Sequence, residues 1–135
     1  MKTDHLGNPT STASDATLRG IDDFVAGFLA YETRAGNVMA AADADPGSVL
    51  ANIYAGFSWM FLEAAGARQR AQIYLRRAEA AETAATTREK LLLEQLRLWI
   101  ADDIPAVQSL GEAIVEAFPR DLASVKLHQY FSFNR

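Results

Sequence analysis

The chain has 135 residues and no cysteine; half its residues are hydrophobic, 22% are charged, and the formal net charge is -4. That length suits one domain able to bury about two thirds of its unfolded surface, and the missing cysteine excludes disulfides, thiol catalysis and cysteine-ligated zinc. The acidic balance argues against a nucleic-acid partner, because binding phosphates needs a surplus of Lys and Arg on one face.

Residues 1–14, MKTDHLGNPTSTAS, are polar and carry Gly7, Pro9 and a Ser/Thr cluster. They read as a disordered leader and lack the apolar core of a secretory signal. His5 within them reads as an exposed tail residue. The first helix is expected after Ser14, whose hydroxyl suits an N-cap. Its apolar positions Leu18, Ile21, Val25, Phe28 and Leu29 recur at helical steps, and Gly20 and Gly27 admit a close neighbour. The chain should turn around residues 31–36, and a shorter helix then runs through Val38, Met39, Ala41 and Ala42 to about Ala44. Asp45 and Pro46 look like the N-cap and first position of a third helix.

That third segment, residues 47–66 (GSVLANIYAGFSWMFLEAAG), is the stretch the rest must pack around. It has no charge between Asp45 and Glu63, and Val49, Leu50, Ile53, Tyr54, Phe57, Trp59, Met60 and Phe61 cover most of a helix circumference. Such a helix must be covered on nearly every side. Its uncharged run falls short of the roughly 20 residues of a membrane span, and it holds Ser48, Asn52 and Ser58. We therefore expect a buried helix, no membrane association and a cytoplasmic address. Gly66 suits a left-handed C-cap, and Gly56 a close helix crossing.

A fourth helix over residues 67–81 sets Ala71, Ile73, Tyr74, Ala78 and Ala81 against an outer set of Arg68, Arg70, Arg76, Arg77 and Glu79. Thr86 and Glu89 form a capping-box pattern that starts a fifth helix rich in leucine. Asp102 and Asp103 should cap a sixth, with Pro105 in its first turn. After the break at Pro119, Arg120 and Asp121, a seventh runs from about Leu122 to Phe133. No segment alternates with period two, so the chain reads as all-α, with about seven helices.

The breaks at Pro46, residues 82–85 and Pro119 recur at the interval of two-helix repeats. They divide residues 15–135 into units 15–46, 47–83 and 84–119, with a lone last helix at 120–135. The expected architecture is a right-handed stack of antiparallel helical hairpins, a tetratricopeptide-like α-α superhelix; the period alone also allows a six-helix bundle. The segments Ala41-Ala42-Asp43-Ala44-Asp45-Pro46, Thr86-Thr87-Arg88-Glu89-Lys90 and the run from Ala117 to Lys126 agree in order and spacing with a known family. Over roughly residues 15–135 the chain resembles the N-terminal part of the tetratricopeptide repeat protein 38 family. The resemblance implies such a superhelix and no established enzymatic activity. Members of that family are several-fold longer, and the histidine-bearing repeats of their later part are absent here, so no family functional residue is carried over.

Few residues invite chemistry. His128 has no Cys or His at a ligand spacing, so no metal site is expected. Asp22 and Asp23 diverge on a helix, while Asp43/Asp45 and Asp102/Asp103 are expected to cap helices. Tyr54, Phe57 and Trp59 read as core before they read as a ligand pocket. Arg70 and Arg77 share a face and suit a partner's carboxylates. Tyr130, Phe131 and Phe133 give the last helix an apolar face that no eighth helix covers. Either the helix folds back on helices five and six, or it pairs with a second copy in a homodimer, or the chain is a piece of something longer; left exposed, such a face marks an interface. These features support a non-enzymatic module binding a protein or peptide, with no cofactor. The alternatives are a helical bundle with an internal pocket or enzyme site beside Tyr54, Phe57 or Trp59, and an N-terminal fragment of a longer repeat protein.

Overall fold

The computed structural model describes residues 2–133. Among them are seven α-helices and no strand: α1 (Asp15–Ala30), α2 (Asn37–Ala44), α3 (Val49–Leu62), α4 (Ala67–Ala80), α5 (Thr87–Ile100), α6 (Ile104–Ala117) and α7 (Leu122–Phe133). Short 3₁₀ turns at Thr33–Gly36 and Glu82–Ala84 join α1 to α2 and α4 to α5. Each helix packs on the next, and a second set of contacts joins α1 to α3, α3 to α5 and α1 to α7.

The helix boundaries follow from local polar chemistry. Ser14 accepts from the Thr17 amide and Thr86 from the Glu89 amide, with Glu89 returning the bond to Thr86. Asp103 accepts from Ala106, and Pro105 fits the first turn of α6, where its missing N–H goes unmissed. Two expected caps are corrected. Ser48, not Asp45, caps α3 by accepting from the Ala51 amide; Asp45 ends α2 and accepts a bond from the Thr17 hydroxyl at 2.8 Å. At the other end of α3 the left-handed residue is Glu63 (φ 51°), while Gly66 (φ 80°) precedes α4. Asp43 lies in α2, its carboxylate held by the Tyr74 hydroxyl and by Arg77.

α3 occupies the centre. Nine consecutive residues, Val49 to Phe57, are buried, as is Met60, and the helix contacts α1, α2, α4 and α5. Burial of this many large side chains, at about 1.5–3 kcal/mol each, sets where the other helices go. Glycines let two of them come close. A Cβ on Gly20 would lie 2.4 Å from the Ala41 Cβ, and one on Gly56 2.6 Å from a Leu96 methyl. Aromatic rings then link α1, α3, α5 and α7: Phe24 stacks on Tyr54 at 4.4 Å, Phe61 meets Trp99 and Tyr130 edge-on at 5.0 Å, and Trp99 meets Phe131 at 4.9 Å.

The N-terminal segment differs from the disordered leader that its composition led us to expect. Residues 2–13 form a strap with an isolated antiparallel bridge between Thr3 and Pro9. Asp4, Asn8, Thr10 and Thr12 are buried. The Asp4 carboxylate accepts from the Leu6 and Asn8 amides, and the Asn8 side chain donates to the Arg120 carbonyl. Ser11 donates to Glu89, Thr12 bonds Ser48, and His5 donates its amide to Asp22. The strap thus fastens to the starting ends of α3, α5 and α7. Residue 1 of the expected leader and residues 134–135 of the last unit lie outside the described residues.

Candidate functional site

A groove of about 1180 Å³ runs between the end of α1, the following 3₁₀ turn, the last turns of α3 and the outer side of α7. Its lining is mainly apolar, including Phe28, Tyr31, Leu62, Leu122, Val125 and Phe133. Five large hydrophobic side chains are exposed among the described residues, and four of them line this groove: Tyr31 (87%), Phe133 (82%), Leu62 (55%) and Leu122 (41%). Scattered exposed hydrophobics are ordinary on a protein surface; several gathered in one concavity are not.

Local rules build each wall. α1 ends because Tyr31 takes a left-handed conformation (φ 59°) with its amide bonded to the Gly27 carbonyl. The absent side chain at Gly27 lets the 3₁₀ turn close onto α1, since a Cβ there would lie 2.5 Å from the Ala35 nitrogen. On the opposite wall, Asp121 starts α7 by accepting from the Ser124 amide, and its second oxygen accepts from Arg88 at 2.8 Å. Arg88 and Asp121 are both almost fully buried, and Arg88 also donates to the Pro9 carbonyl of the strap. Burial first, and then the Asp121 carboxylate, push the neighbouring Tyr54 hydroxyl far above its ordinary pKa, so it stays neutral. Lys126 joins the two walls by donating to the Phe28 and Leu29 carbonyls, with its ammonium 3.4 Å from the centre of the Tyr31 ring. A cation at the carbonyl end of α1 is favourable on dipole grounds.

Beside the groove lies a second, smaller cleft of about 410 Å³, and Tyr130 lines both. It sits where α3 and α5 end. Trp99, Tyr130 and Phe131 supply aromatic rings; Glu63, Asp102 and Arg68 supply charge. Glu63 and Asp102 both have left-handed backbones, at φ 51° and 61°. The Tyr130 hydroxyl donates to Glu63 at 3.2 Å; burial first, and then that carboxylate, raise its pKa. Arg68 donates to the Ile100 carbonyl at the end of α5.

The structure separates the residues that the sequence singled out. Arg70 lies over the Trp59 ring at 5.2 Å, while Arg77 pairs with Asp43 at 2.8 Å and lies over Tyr74 at 5.0 Å. Hydrogen bonding by Arg77 holds the Asp43 carboxyl below its ordinary value, with burial opposing and Tyr74 assisting. Glu79 pairs with Arg97 of α5. The apolar face of α7 is largely closed from within, the fold-back alternative, with α1 as well as α6 beneath it. Phe131 and Leu127 are buried, Tyr130 is half-buried against Phe61, and Phe133 stays exposed. α7 turns back to contact α6 and α1, which supply the missing cover. His128 is half-buried, its Nδ1 facing Gly111 of α6. The space beside Tyr54 and Phe57 amounts to about 10 Å³, at the lower limit for a single water. Among the described residues no three His, Cys, Asp or Glu side chains gather to hold a metal ion, and no helix is long and apolar enough to cross a membrane.

Sequence reasoning missed the groove because its walls come from residues a hundred positions apart. The available signal was Tyr31 and Phe133, large apolar residues at helix ends where burial is least secure. No protein-family model, curated protein or solved structure matches the chain.

Proposed function

We propose that the chain is a non-enzymatic helical-repeat module whose groove between α1 and α7 receives an apolar segment of a partner protein or peptide. The observation that carries this reading is the gathering of Tyr31, Leu62, Leu122 and Phe133, exposed, along one concavity. At about 1180 Å³ and open to solvent, it exceeds the roughly 300–1,000 Å³ of compact small-molecule pockets. Its helical walls and floor come chiefly from α1 and α3, the first helices of the first two hairpins, and from the lone last helix α7. A tetratricopeptide-like right-handed stack turns such first helices to its concave side, and the positions of α1 and α3 are compatible with that reading. A cytoplasmic address fits this role, and no cofactor enters it.

The test is a selection of random displayed peptides on the immobilised chain, run in parallel on Leu122→Glu. We expect apolar sequences to enrich on the unmodified chain and to be lost from the variant. Enrichment of acidic sequences that depends on Arg70 and Arg77 would contradict the groove reading. Light scattering supplies the other arm: a dimer abolished by Phe133→Glu would assign the groove to a second copy of the chain and overturn the peptide reading.

A further inference from the structure

The groove opens beside a cleft of different chemistry, and Tyr130 forms the divide between them. On the groove side the charged groups are already matched: Lys126 is held by the Phe28 and Leu29 carbonyls, and Glu32 by Arg34 at 2.8 Å. An occupant there gains nothing from a charge of its own and would have to bury it. The cleft is different. Two exposed carboxylates, Glu63 and Asp102, face it against one guanidinium, Arg68, whose Nη1 donates to the Ile100 carbonyl. The carbonyl ends of α3 and α5 lie at the same place, and the amide ends of α4 and α6 face them, so the helix dipoles largely offset one another. Trp99 and Tyr130 line it with π faces, which attract cations. The excess of carboxylates over guanidinium and the aromatic rings favour a positive group.

We infer that this cleft takes the Lys or Arg side chain of the same partner segment whose apolar residues fill the groove. The inference rests on the groove reading above and specifies the partner's chemistry: an apolar run with a basic residue at the end that passes Tyr130. The apolar part supplies most of the affinity. The basic residue fixes direction, because Glu63 and Asp102 stand at one end of the groove only.

The experiment repeats the peptide selection on a Glu63→Gln/Asp102→Asn variant. Gln at 63 still accepts the Tyr130 hydroxyl, and Asn is among the residues that best tolerate a left-handed backbone, so the double variant should fold; an unchanged thermal midpoint checks this. Peptides enriched on the unmodified chain are expected to carry Lys or Arg beside the apolar run. The variant should still enrich apolar peptides but without the basic preference, and a selected basic peptide should bind it about two- to five-fold more weakly. Apolar peptides with no basic preference on either protein, lost only in Leu122→Glu, would overturn this inference and leave the groove standing. Enrichment indifferent to Leu122→Glu would bring down the groove and, with it, the partner chemistry assigned here.

Discussion

At the α1–α2 crossing a single missing side chain decides how closely the helices approach. A Cβ at position 20 would meet the Ala41 Cβ at 2.4 Å, and that atom is fixed by its own backbone. Gly20→Ala gains about 0.5–1 kcal/mol of helix propensity but overpacks the crossing by about 1–3 kcal/mol. Net destabilisation in urea titration is expected, and Ala41→Gly in the same chain should recover most of it. The buried Arg88–Asp121 pair is a larger lever. Arg88→Met leaves the Asp121 carboxylate buried and unpaired, which should cost about 3–5 kcal/mol; a loss under 1 kcal/mol would show that the pair is wetter than its burial implies. The Asp43–Arg77 contact is exposed and correspondingly weak. Because Arg77 lowers the folded carboxyl pKa, its contribution is present above the ordinary value near 3.8 and fades as pH falls through the lower folded value. Asp43→Asn should therefore lose about 1 kcal/mol or less at neutral pH, with the gap to the unmodified chain closing in acid.

Much of the element scale was legible beforehand, and the exceptions have physical causes. α1, α2 and α5 to α7 begin and end within a residue or two of their expected bounds, because Ser14, Thr86, Asp103 and Pro119 act on backbone groups close to themselves in sequence. The all-round apolar character of α3 correctly placed it at the centre. Asp45 misled because its side chain serves Thr17 of α1, a tertiary partner that no local pattern reveals. The strap was illegible for the same reason: its polar groups, backbone amides and side chains alike, are satisfied by Asp22, Ser48, Glu89 and Arg120, far away in the chain. Limited proteolysis separates the two views of residues 2–13. The strap should resist cleavage until the domain unfolds, whereas a disordered leader would be clipped in the folded protein. Asn8→Ala, which frees the Arg120 carbonyl and strips a donor from buried Asp4, should cost about 1–3 kcal/mol.

At the scale of the whole molecule, the return of α7 onto α1 is the feature that makes a site. A chain of helical pairs read from its period alone leaves the last helix uncovered. Here Lys126, Tyr31 and the ring sequence from Phe24 to Phe131 fold that helix inward, burying Phe131 while leaving Phe133 at the mouth of a groove. The candidates named from sequence divide accordingly: Tyr130 and Phe133 line the groove, Phe131 belongs to the core, Arg70 lies on Trp59 of α3, and Arg77 pairs with Asp43 of α2. The most direct measurement is a ¹⁵N–¹H titration of the chain with a peptide recovered from the selection. Shifts confined to the amides around Tyr31, Leu62 and Glu63, and along α7 from Leu122 to Phe133, are expected. Shifts clustering along α4 around Arg70 and Arg77, with the groove silent, would contradict the groove reading.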